Sequence, residues 1–307
     1  MNTRVQAPLQ VVRGFCMGAA DVVPGVSGGT IALVFGIYTH LVDQVRQGAR
    51  SLGRLVRLDP RGFVAELRRI DWWFVLPLLA GIGLAVLSLA GLISHYLETE
   101  PIRTAAVFFG LVAGSLATTV RLVRRWDARH AGTAAAVAVI TFVVLGLGSG
   151  QVDDPSLAFV FLGGMIAICA MILPGISGSF LLLMLGLYDA VLDAVDGRDL
   201  AVVAVFGAGA VIGLAGFSSL LSWALVHHEQ VMLAGLIGLM AGSMRVLWPW
   251  PNGTGSEEST DGTELALPRG DVWWPIALAV IAAVAIVVIA RVAGHRTSAE
   301  PVVPADV

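Results

Sequence analysis

Long apolar runs, separated by short charged clusters, account for most of this chain. Runs such as 73–93 and 272–290 reach the ~20 residues that a helix needs to cross ~30 Å of hydrocarbon. The apolar segments are 10–45, 72–94, 103–120, 131–149, 157–195, 200–226, 230–248 and 272–290, of which 10–45 and 157–195 are interrupted by proline, glycine and hydroxyl residues. The pattern predicts an all-α polytopic membrane protein.

The composition agrees with this class. Hydrophobic residues make up 57% of the chain and charged residues 13%, whereas soluble domains carry about 25% charged residues. The opening MNTRVQAPLQ lacks an apolar h-region and a small-residue cleavage site, so no removable signal peptide is expected. The net charge of −3 says little about partners, and no nucleic-acid partner is expected. Cys16 and Cys169 lie in apolar surroundings and are expected to be small buried hydrophobes rather than metal ligands.

The two interrupted segments carry nearly the same phrase. A shift of 150 residues lays PGVSG at 24–28 on PGISG at 174–178, and GIY on GLY a little further along. Later in each half, FGLVAGS and IGLMAGS match with a shift of 128. We therefore predict two repeats, 1–150 and 151–307, each an interrupted segment followed by three spans. Internal repeats of this kind are typical of secondary transporters.

Neither arm of an interrupted segment is long enough to cross the membrane alone. At 1.5 Å per residue, 11–22 would make a helix of ~18 Å and 29–44 one of ~24 Å. If each segment enters and leaves by the same face, each repeat crosses three times and the second repeat is inverted. Fifteen of the nineteen arginines then fall on one side, as the positive-inside rule predicts for the cytoplasm. We therefore predict re-entrant hairpins at 10–45 and 157–195, with both termini cytoplasmic, in the cytoplasmic (inner) membrane.

The two longest connectors differ in charge. The arginine-rich loop 46–71 is predicted to be cytoplasmic, and the acidic loop 251–271 to lie outside. The arginines of 46–71 suit contact with anionic lipid headgroups, with Trp72 and Trp73 in the aromatic belt of the interface. The alternative is a solvated loop whose charge merely sets the topology.

The two polar interruptions, at 21–30 and 171–180, are the candidate binding site and are called the first and second tips. Non-helical backbone at membrane depth is tolerated only where protein covers it or where it lines a water-filled cavity. A helix that begins after such a turn points unpaired N–H groups toward the midplane, and such groups bind phosphate and other anions readily. Glycines let a ligand approach the backbone closely, although small residues also serve tight helix packing. The candidate residues are Asp21, Pro24, Gly25, Ser27, Gly28, Gly29 and Thr30 in the first copy, and Pro174, Gly175, Ser177, Gly178 and Ser179 in the second.

Three ionisable residues complete the candidate site. A charge inside a membrane is costly, so such residues are functional candidates by default. Asp21, whose counterpart is Met171, is expected either to carry a coupling proton or to brace the first tip. Arg13 and Arg245 are candidates to contact an anionic headgroup. For Arg245 the alternative is snorkelling to the outer interface.

The chain shows no set of residues typical of an ATP-driven pump or a metalloenzyme. It contains no Walker loop, no His-Glu-x-x-His and no cysteine pair at metal spacing. We predict no enzymatic activity and no cofactor, and leave coupling to protons or sodium ions open. Besides a transporter, the alternatives are a membrane enzyme and a structural protein whose tips tolerate change.

Two long stretches carry a family resemblance. GFCMGAADVVPGVSGGTIALVFGIY at 14–38 and GGMIAICAMILPGISGSFLLLMLGLY at 163–188 resemble the two motifs of the bacterial and archaeal polyprenyl-phosphate transporter family. The resemblance covers essentially the whole chain and implies translocation of undecaprenyl phosphate, or a related polyprenyl phosphate, to recycle the lipid carrier of cell-envelope biosynthesis. It also implies an architecture similar to that of the DedA superfamily. From the residues alone, a secondary transporter or channel for a small soluble anion is the alternative.

Overall fold

The computed structural model describes residues 7–22, 26–147, 152, 155–250 and 265–297, and every regular element in these ranges is a helix. The helices are α1 (Ala7–Asp21), α2 (Gly28–Val34), α3 (Tyr38–Val56), α4 (Pro60–Leu67), α5 (Trp72–Thr99), α6 (Pro101–Thr119), α7 (Ala128–Val144), α8 (Leu157–Ile172), α9 (Gly178–Met184), α10 (Tyr188–Asp196), α11 (Leu200–His227), α12 (Glu229–Ser243) and α13 (Trp273–Thr297). A single 3₁₀ turn follows α6. Pro24, Gly25 and most of the predicted outer loop lie outside the described residues.

Side-chain caps fix where the two longest helices begin. The Asp71 carboxylate accepts a hydrogen bond from Phe74 N at 3.2 Å at the start of α5. The Asp199 carboxylate accepts one from Val202 N, also at 3.2 Å, at the start of α11. The first amides of a helix have no partner within the helix. An acidic cap therefore satisfies them where the apolar run begins.

Within the described ranges, four helices are long and apolar enough to cross a membrane: α5, α6 with its 3₁₀ turn, α11 and α13. α5 and α11 have 28 residues each. The predicted spans 131–149 and 230–248 are shorter apolar helices, α7 and α12, of 17 and 15 residues. The protein is therefore a helical, multi-pass membrane protein, as the apolar pattern predicts.

Small residues shape the most extensive helix pairs, which are α1 with α5, α8 with α11, α6 with α13, and α7 with α12. A Cβ atom on Gly114 of α6 would lie 2.9 Å from Ala283 Cα of α13. A Cβ on Gly242 of α12 would overlap the backbone at Ala138 of α7 in the same way. Lipid tails are as apolar as leucine, so close backbone packing at small residues is what holds such helices together.

Gly114→Ala is expected to lower the free energy of unfolding by about 1 kcal/mol, because steric overlap with Ala283 outweighs the gain in helix propensity. The matched control is Gly91→Ala on α5, where a new Cβ meets nothing within 4 Å and only the propensity gain remains. Thermal unfolding in detergent should therefore shift to lower temperature for the first variant and to higher temperature for the second. A rise for both would contradict the packing of α6 on α13.

Each interrupted segment folds into three helices, not two. The prediction of one returning arm over 29–44 is wrong, because α2 ends at Val34 and α3 starts only at Tyr38. Gly36 and Gly186 cause the second break, with φ of +68° and +67°. A left-handed residue just past a helix end stops the helix, and glycine adopts this conformation without strain. In the second copy, α9 and α10 meet at 109°.

The arginine-rich stretch 46–71 is largely helical, since α3 and α4 cover most of it. The guanidinium of Arg46 donates a hydrogen bond to Ser222 Oγ of α11 at 2.9 Å. The amide of Gln47 donates one to the Glu66 carboxylate of α4 at 2.6 Å. The stretch is thus a pair of helices docked on the bundle.

The first segment starts and finishes at the same end of α5. α1 runs parallel to α5, because Cβ atoms on Gly14 and Gly18 would overlap the backbone at Leu78 and Ile82, respectively. After the tip the chain returns, and the ring of His40 in α3 packs edge-on against a phenylalanine in the first turn of α5, with 4.5 Å between centroids. The tip therefore lies beside the middle of α5, inside the bundle.

Candidate functional site

The first tip is the start of α2, and two side chains cap it. Ser27 Oγ accepts a hydrogen bond from Gly29 N at 3.1 Å, and the Asp21 carboxylate accepts one from Gly28 N. These caps satisfy amides that would otherwise lack partners. Asp21 is exposed on the isolated chain, whereas Ser27 and Thr30 are each 1% exposed.

The second tip leads into α9 through a glycine that packs against α12. Gly175 has a φ of +88°, which favours glycine strongly. A Cβ atom at this position would also lie 2.8 Å from Met240 Cα and 2.8 Å from Ser243 Oγ. Both the conformation and the close approach therefore require glycine, and the flanking Pro174 is buried as well.

Hydroxyl groups rather than a carboxylate mark the second tip. Ser177 Oγ lies 2.7 Å from Ser179 Oγ, and the Ser177 side chain makes no capping bond to α9. A Cβ atom on Gly178 would lie 2.6 Å from Met171 Cγ. Met171 thus occupies the place that Asp21 occupies at the first tip, and it supplies no charge there.

The two segments meet at the end of α8. Ser27 Oγ donates a hydrogen bond to Met171 O at 3.4 Å, and the Tyr38 hydroxyl donates one to Ile172 O at 3.2 Å. A Cβ atom on Gly29 would lie 2.9 Å from Ile172 O. The last carbonyls of a helix have no intrahelical partner, and the first segment supplies donors to two of them. The first tip therefore lies against the residues that lead into the second.

Thr30 carries a buried hydroxyl that has no hydrogen-bond partner within the described part of the chain. It lies in the first turn of α2, next to Ser27. An unpaired buried hydroxyl lowers the free energy of unfolding by about 1–3 kcal/mol. Such a group in a native protein therefore needs an explanation, and a role in binding is one. Together with Ser177 and Ser179, these side chains place four hydroxyl groups on two adjoining turns.

Arg245 lies near the second tip. It follows α12 by two residues, and its guanidinium carbon lies 4.7 Å from the centroid of the Phe142 ring on α7. Ser243, at the end of α12, contacts Gly175. Arg245 is thus held against α7, two residues along the chain from a side chain that contacts the second tip.

Arg13 lies elsewhere. It precedes Asp21 by eight residues on α1, which corresponds to ~12 Å along the helix axis. Its side chain lines a cavity of about 230 Å³ at the start of α5. The fold therefore places Arg245 beside the second tip and Arg13 away from both tips.

Sequence reasoning missed two buried side chains beside the second tip. Tyr38 is 2% exposed and joins the first segment to α8, and Ser243 is 1% exposed and lies against the second tip. Both belong to phrases that recur in the two halves, GIY with GLY and AGS with AGS. The repeat therefore carried the signal, although neither residue interrupts an apolar run.

Residues 25–29 also satisfy Gly-x-Ser-x-Gly, the pattern around some nucleophilic serines. That chemistry requires a base hydrogen-bonded to the serine. Ser27 Oγ instead contacts Met171 O and Gly29 N. No group of three or more metal-ligating side chains occurs in the described ranges. The Ser27 hydroxyl is therefore not arranged as a nucleophile.

Comparison with known proteins finds relatives over most of the chain. The model of the VCA0040-like family, described as undecaprenyl phosphate translocase-like, matches residues 17–265. A polyprenyl-phosphate transporter of Vibrio cholerae is 39% identical over 256 residues, which cover 83% of this chain and 82% of its own length. A polyprenyl-phosphate transporter of Staphylococcus aureus is 28% identical over 258 residues, covering 78% and 86%. No solved structure matches the chain.

The family match includes α2, α9 and both tips, and the named relatives are transporters rather than enzymes. The implied likeness to the DedA superfamily stays a prediction. By the extent of these matches, the chain belongs to the VCA0040-like family of undecaprenyl phosphate translocase-like proteins.

Proposed function

We propose that this protein translocates a polyprenyl phosphate, such as undecaprenyl phosphate, across the cytoplasmic membrane so that the lipid carrier is reused in cell-envelope biosynthesis. The names of the Vibrio cholerae and Staphylococcus aureus relatives support the substrate. A phosphate ion in bare hydrocarbon would face a desolvation cost of tens of kcal/mol, so its path needs hydrogen-bond donors. The unpartnered, buried hydroxyl of Thr30 is the observation that carries the proposal.

An inverted repeat would give such a carrier the same site from either face. α5 and α11 have equal lengths and are related by the shift of 128. On α3, the side chain of Gln44 bonds Asp71 N at the start of α5, while Arg46 bonds Ser222 near the end of α11. The two matched helices therefore run in opposite directions past α3. In the repeat, α6 corresponds to α12 and α7 corresponds to α13. The packed pairs α6–α13 and α12–α7 therefore correspond to each other.

The same arrangement supports re-entrant hairpins. The first hairpin returns to the start of α5, as the packing of His40 indicates. In the second, Val152 N, which precedes α8, donates a hydrogen bond to Gly186 O at the far end of α9. Each hairpin would thus dip in from one leaflet and reach the other hairpin near the midplane. With the arginine-rich face inside, both termini are cytoplasmic.

The tips are closed in this conformation, with Ser27 1% and Ser177 8% exposed. In the proposed cycle the headgroup replaces Met171 O as the acceptor of the Ser27 hydroxyl and takes up the Thr30 hydroxyl. The prenyl tail stays in the lipid throughout. Asp21 competes with the phosphate for Gly28 N, so protonation of Asp21 would release that amide and couple transport to protons.

Thr30→Val is expected to slow flipping of fluorescent undecaprenyl phosphate in proteoliposomes about fivefold, which corresponds to about 1 kcal/mol for one hydrogen bond. Thermal stability should stay equal or rise, because valine has nearly the same shape and leaves no hydroxyl unpaired. Thr133→Val, whose hydroxyl bonds only its own helix at 2.9 Å, serves as the control. Wild-type flipping no faster than in empty liposomes would rule out the function. An unchanged rate for Thr30→Val would rule out the site alone, and uptake of inorganic phosphate would favour a soluble-anion carrier.

A further inference from the structure

The polar cavity lined by Arg13 lies at the opposite end of α1 from the first tip. It occupies about 230 Å³, well above the ~10–15 Å³ that a single water requires. α1, the glycine turn after α2, and the starts of α3 and α5 all contribute to its wall. The lining residues on which the argument depends are Gln10, Arg13, His40, Asp71, Trp73 and Phe74.

Arg13 is the group in this cavity that would bind an anion. The guanidinium of Arg13 contacts Gln10 Oε1 at 3.4 Å and has no carboxylate within 4.0 Å among the described residues. Asp71 is the acidic group in the wall, but both of its oxygens are engaged. One accepts from Phe74 N at 3.2 Å, and the other lies 3.5 Å from His40 Nε2. Arg13 therefore makes no direct ion pair with Asp71 or with any other described carboxylate, and its guanidinium remains a hydrogen-bond donor in the cavity.

The surroundings of the cavity fit a lipid rather than a free ion. Trp73 is 48% exposed at the start of α5, where tryptophan typically marks the level of the headgroups. One turn further on, Leu76 is 56% exposed on the same side of the helix. A phosphate in the cavity would thus lie beside an apolar surface that suits a prenyl tail.

We propose that this cavity is a second phosphate site, on the cytoplasmic side, which holds the headgroup of a polyprenyl phosphate between the tips and the leaflet. The inference rests on the proposed function and extends it by a separate station, since Arg13 lies ~12 Å along α1 from Asp21. Arg13 and Gln10 bind the phosphate there, while Trp73 contacts the first part of the tail.

His40 provides a local readout, because it lines the cavity and its side chain is 47% exposed. Full-length protein in detergent is treated with diethyl pyrocarbonate, and modification of each histidine is followed by mass spectrometry. Geranyl phosphate is the lipid probe, with geraniol and inorganic phosphate at the same concentration as comparisons. The exposed His95, near the far end of α5, and the exposed His228, which does not line the cavity, are internal references.

Geranyl phosphate at about four times its dissociation constant should slow modification of His40 about fivefold, by simple occupancy. Geraniol should give no protection, and inorganic phosphate much less. Arg13→Gln should abolish the protection, Arg13→Lys should keep part of it, and Gln10→Ala should weaken it. Arg125→Gln, an exposed arginine outside the cavity, is the matched control and should change nothing.

Equal protection by inorganic phosphate would overturn the assignment to a lipid. So would protection that persists in both Arg13→Gln and Gln10→Ala, or no protection in the wild type. Unchanged modification of His95 in each variant reports that the fold is intact. The flipping assay is independent: flipping without protection of His40 overturns this inference alone, whereas protection without flipping overturns the proposed function and leaves the lipid-phosphate site.

Discussion

Replacing Gly175 by alanine is expected to lower the free energy of unfolding by about 3 kcal/mol, the sum of a left-handed residue and an overpacked contact. The residue has a φ of +88°, and its new Cβ would lie 2.8 Å from Met240 Cα. Met240 belongs to α12, which also packs on α7, so the backbone has little room to yield. The second tip would separate from α12, and transport should fall together with stability.

Gly36→Ala is the matched control for this change. Gly36 has a φ of +68°, but a Cβ there meets nothing within 4 Å. Only the conformational cost of about 1 kcal/mol remains. Thermal unfolding in detergent, followed by the fluorescence of the eight tryptophans, compares the two variants. Equal losses would mean that the second tip is not packed against α12 as described.

Asp21→Asn should reduce the flipping rate of undecaprenyl phosphate about 10- to 100-fold, the range for losing a hydrogen bond to a charged group, here the bond from Gly28 N to the phosphate. Asparagine can still accept the bond from Gly28 N, so the start of α2 keeps its cap and thermal stability should change little. Asparagine cannot be protonated, however, so Gly28 N is not released to the phosphate and the coupling to protons is lost. Flipping is measured in proteoliposomes with and without an imposed pH gradient.

The repeat supplies the control, because Met171 occupies the corresponding place at the second tip. Met171→Leu preserves an apolar side chain there and should leave the rate unchanged. A normal, gradient-dependent rate in Asp21→Asn would exclude Asp21 as the coupling group. If both variants flip at the normal rate and respond equally to the pH gradient, the first tip has no role in coupling that the second tip lacks.

Local signals in the sequence were sufficient for much of this architecture. Apolar runs of membrane length predict the spans, since no soluble fold leaves so much apolar surface exposed. The pair of PGxSG phrases predicts two helix starts inside the bundle, and Ser27 and Ser177 precede α2 and α9. These features depend on neighbouring residues, so periodicity and turn chemistry reveal them.

Other features depend on residues distant in the chain. The second break in each interrupted segment was not predicted, because Gly36 and Gly186 lie within apolar runs. A single glycine in such a run does not by itself indicate a helix end. The loop 46–71 became two helices because α11 and the rest of the bundle support them. Because a charge is costly to bury, Arg13 and Arg245 are both candidates to contact an anionic headgroup. Only their positions in the fold distinguish them.

The sequence by itself therefore determined the class of protein, the family and the positions of both tips, because these follow from local composition and from a repeat within one chain. The tertiary structure decided which groups meet. Ser27 and Tyr38 bond to the end of α8. The Thr30 hydroxyl has no partner among the described residues, and Arg13 lines a separate cavity. Hydrogen bonds and close packing across more than a hundred residues depend on how helices cross, and local pattern does not encode that.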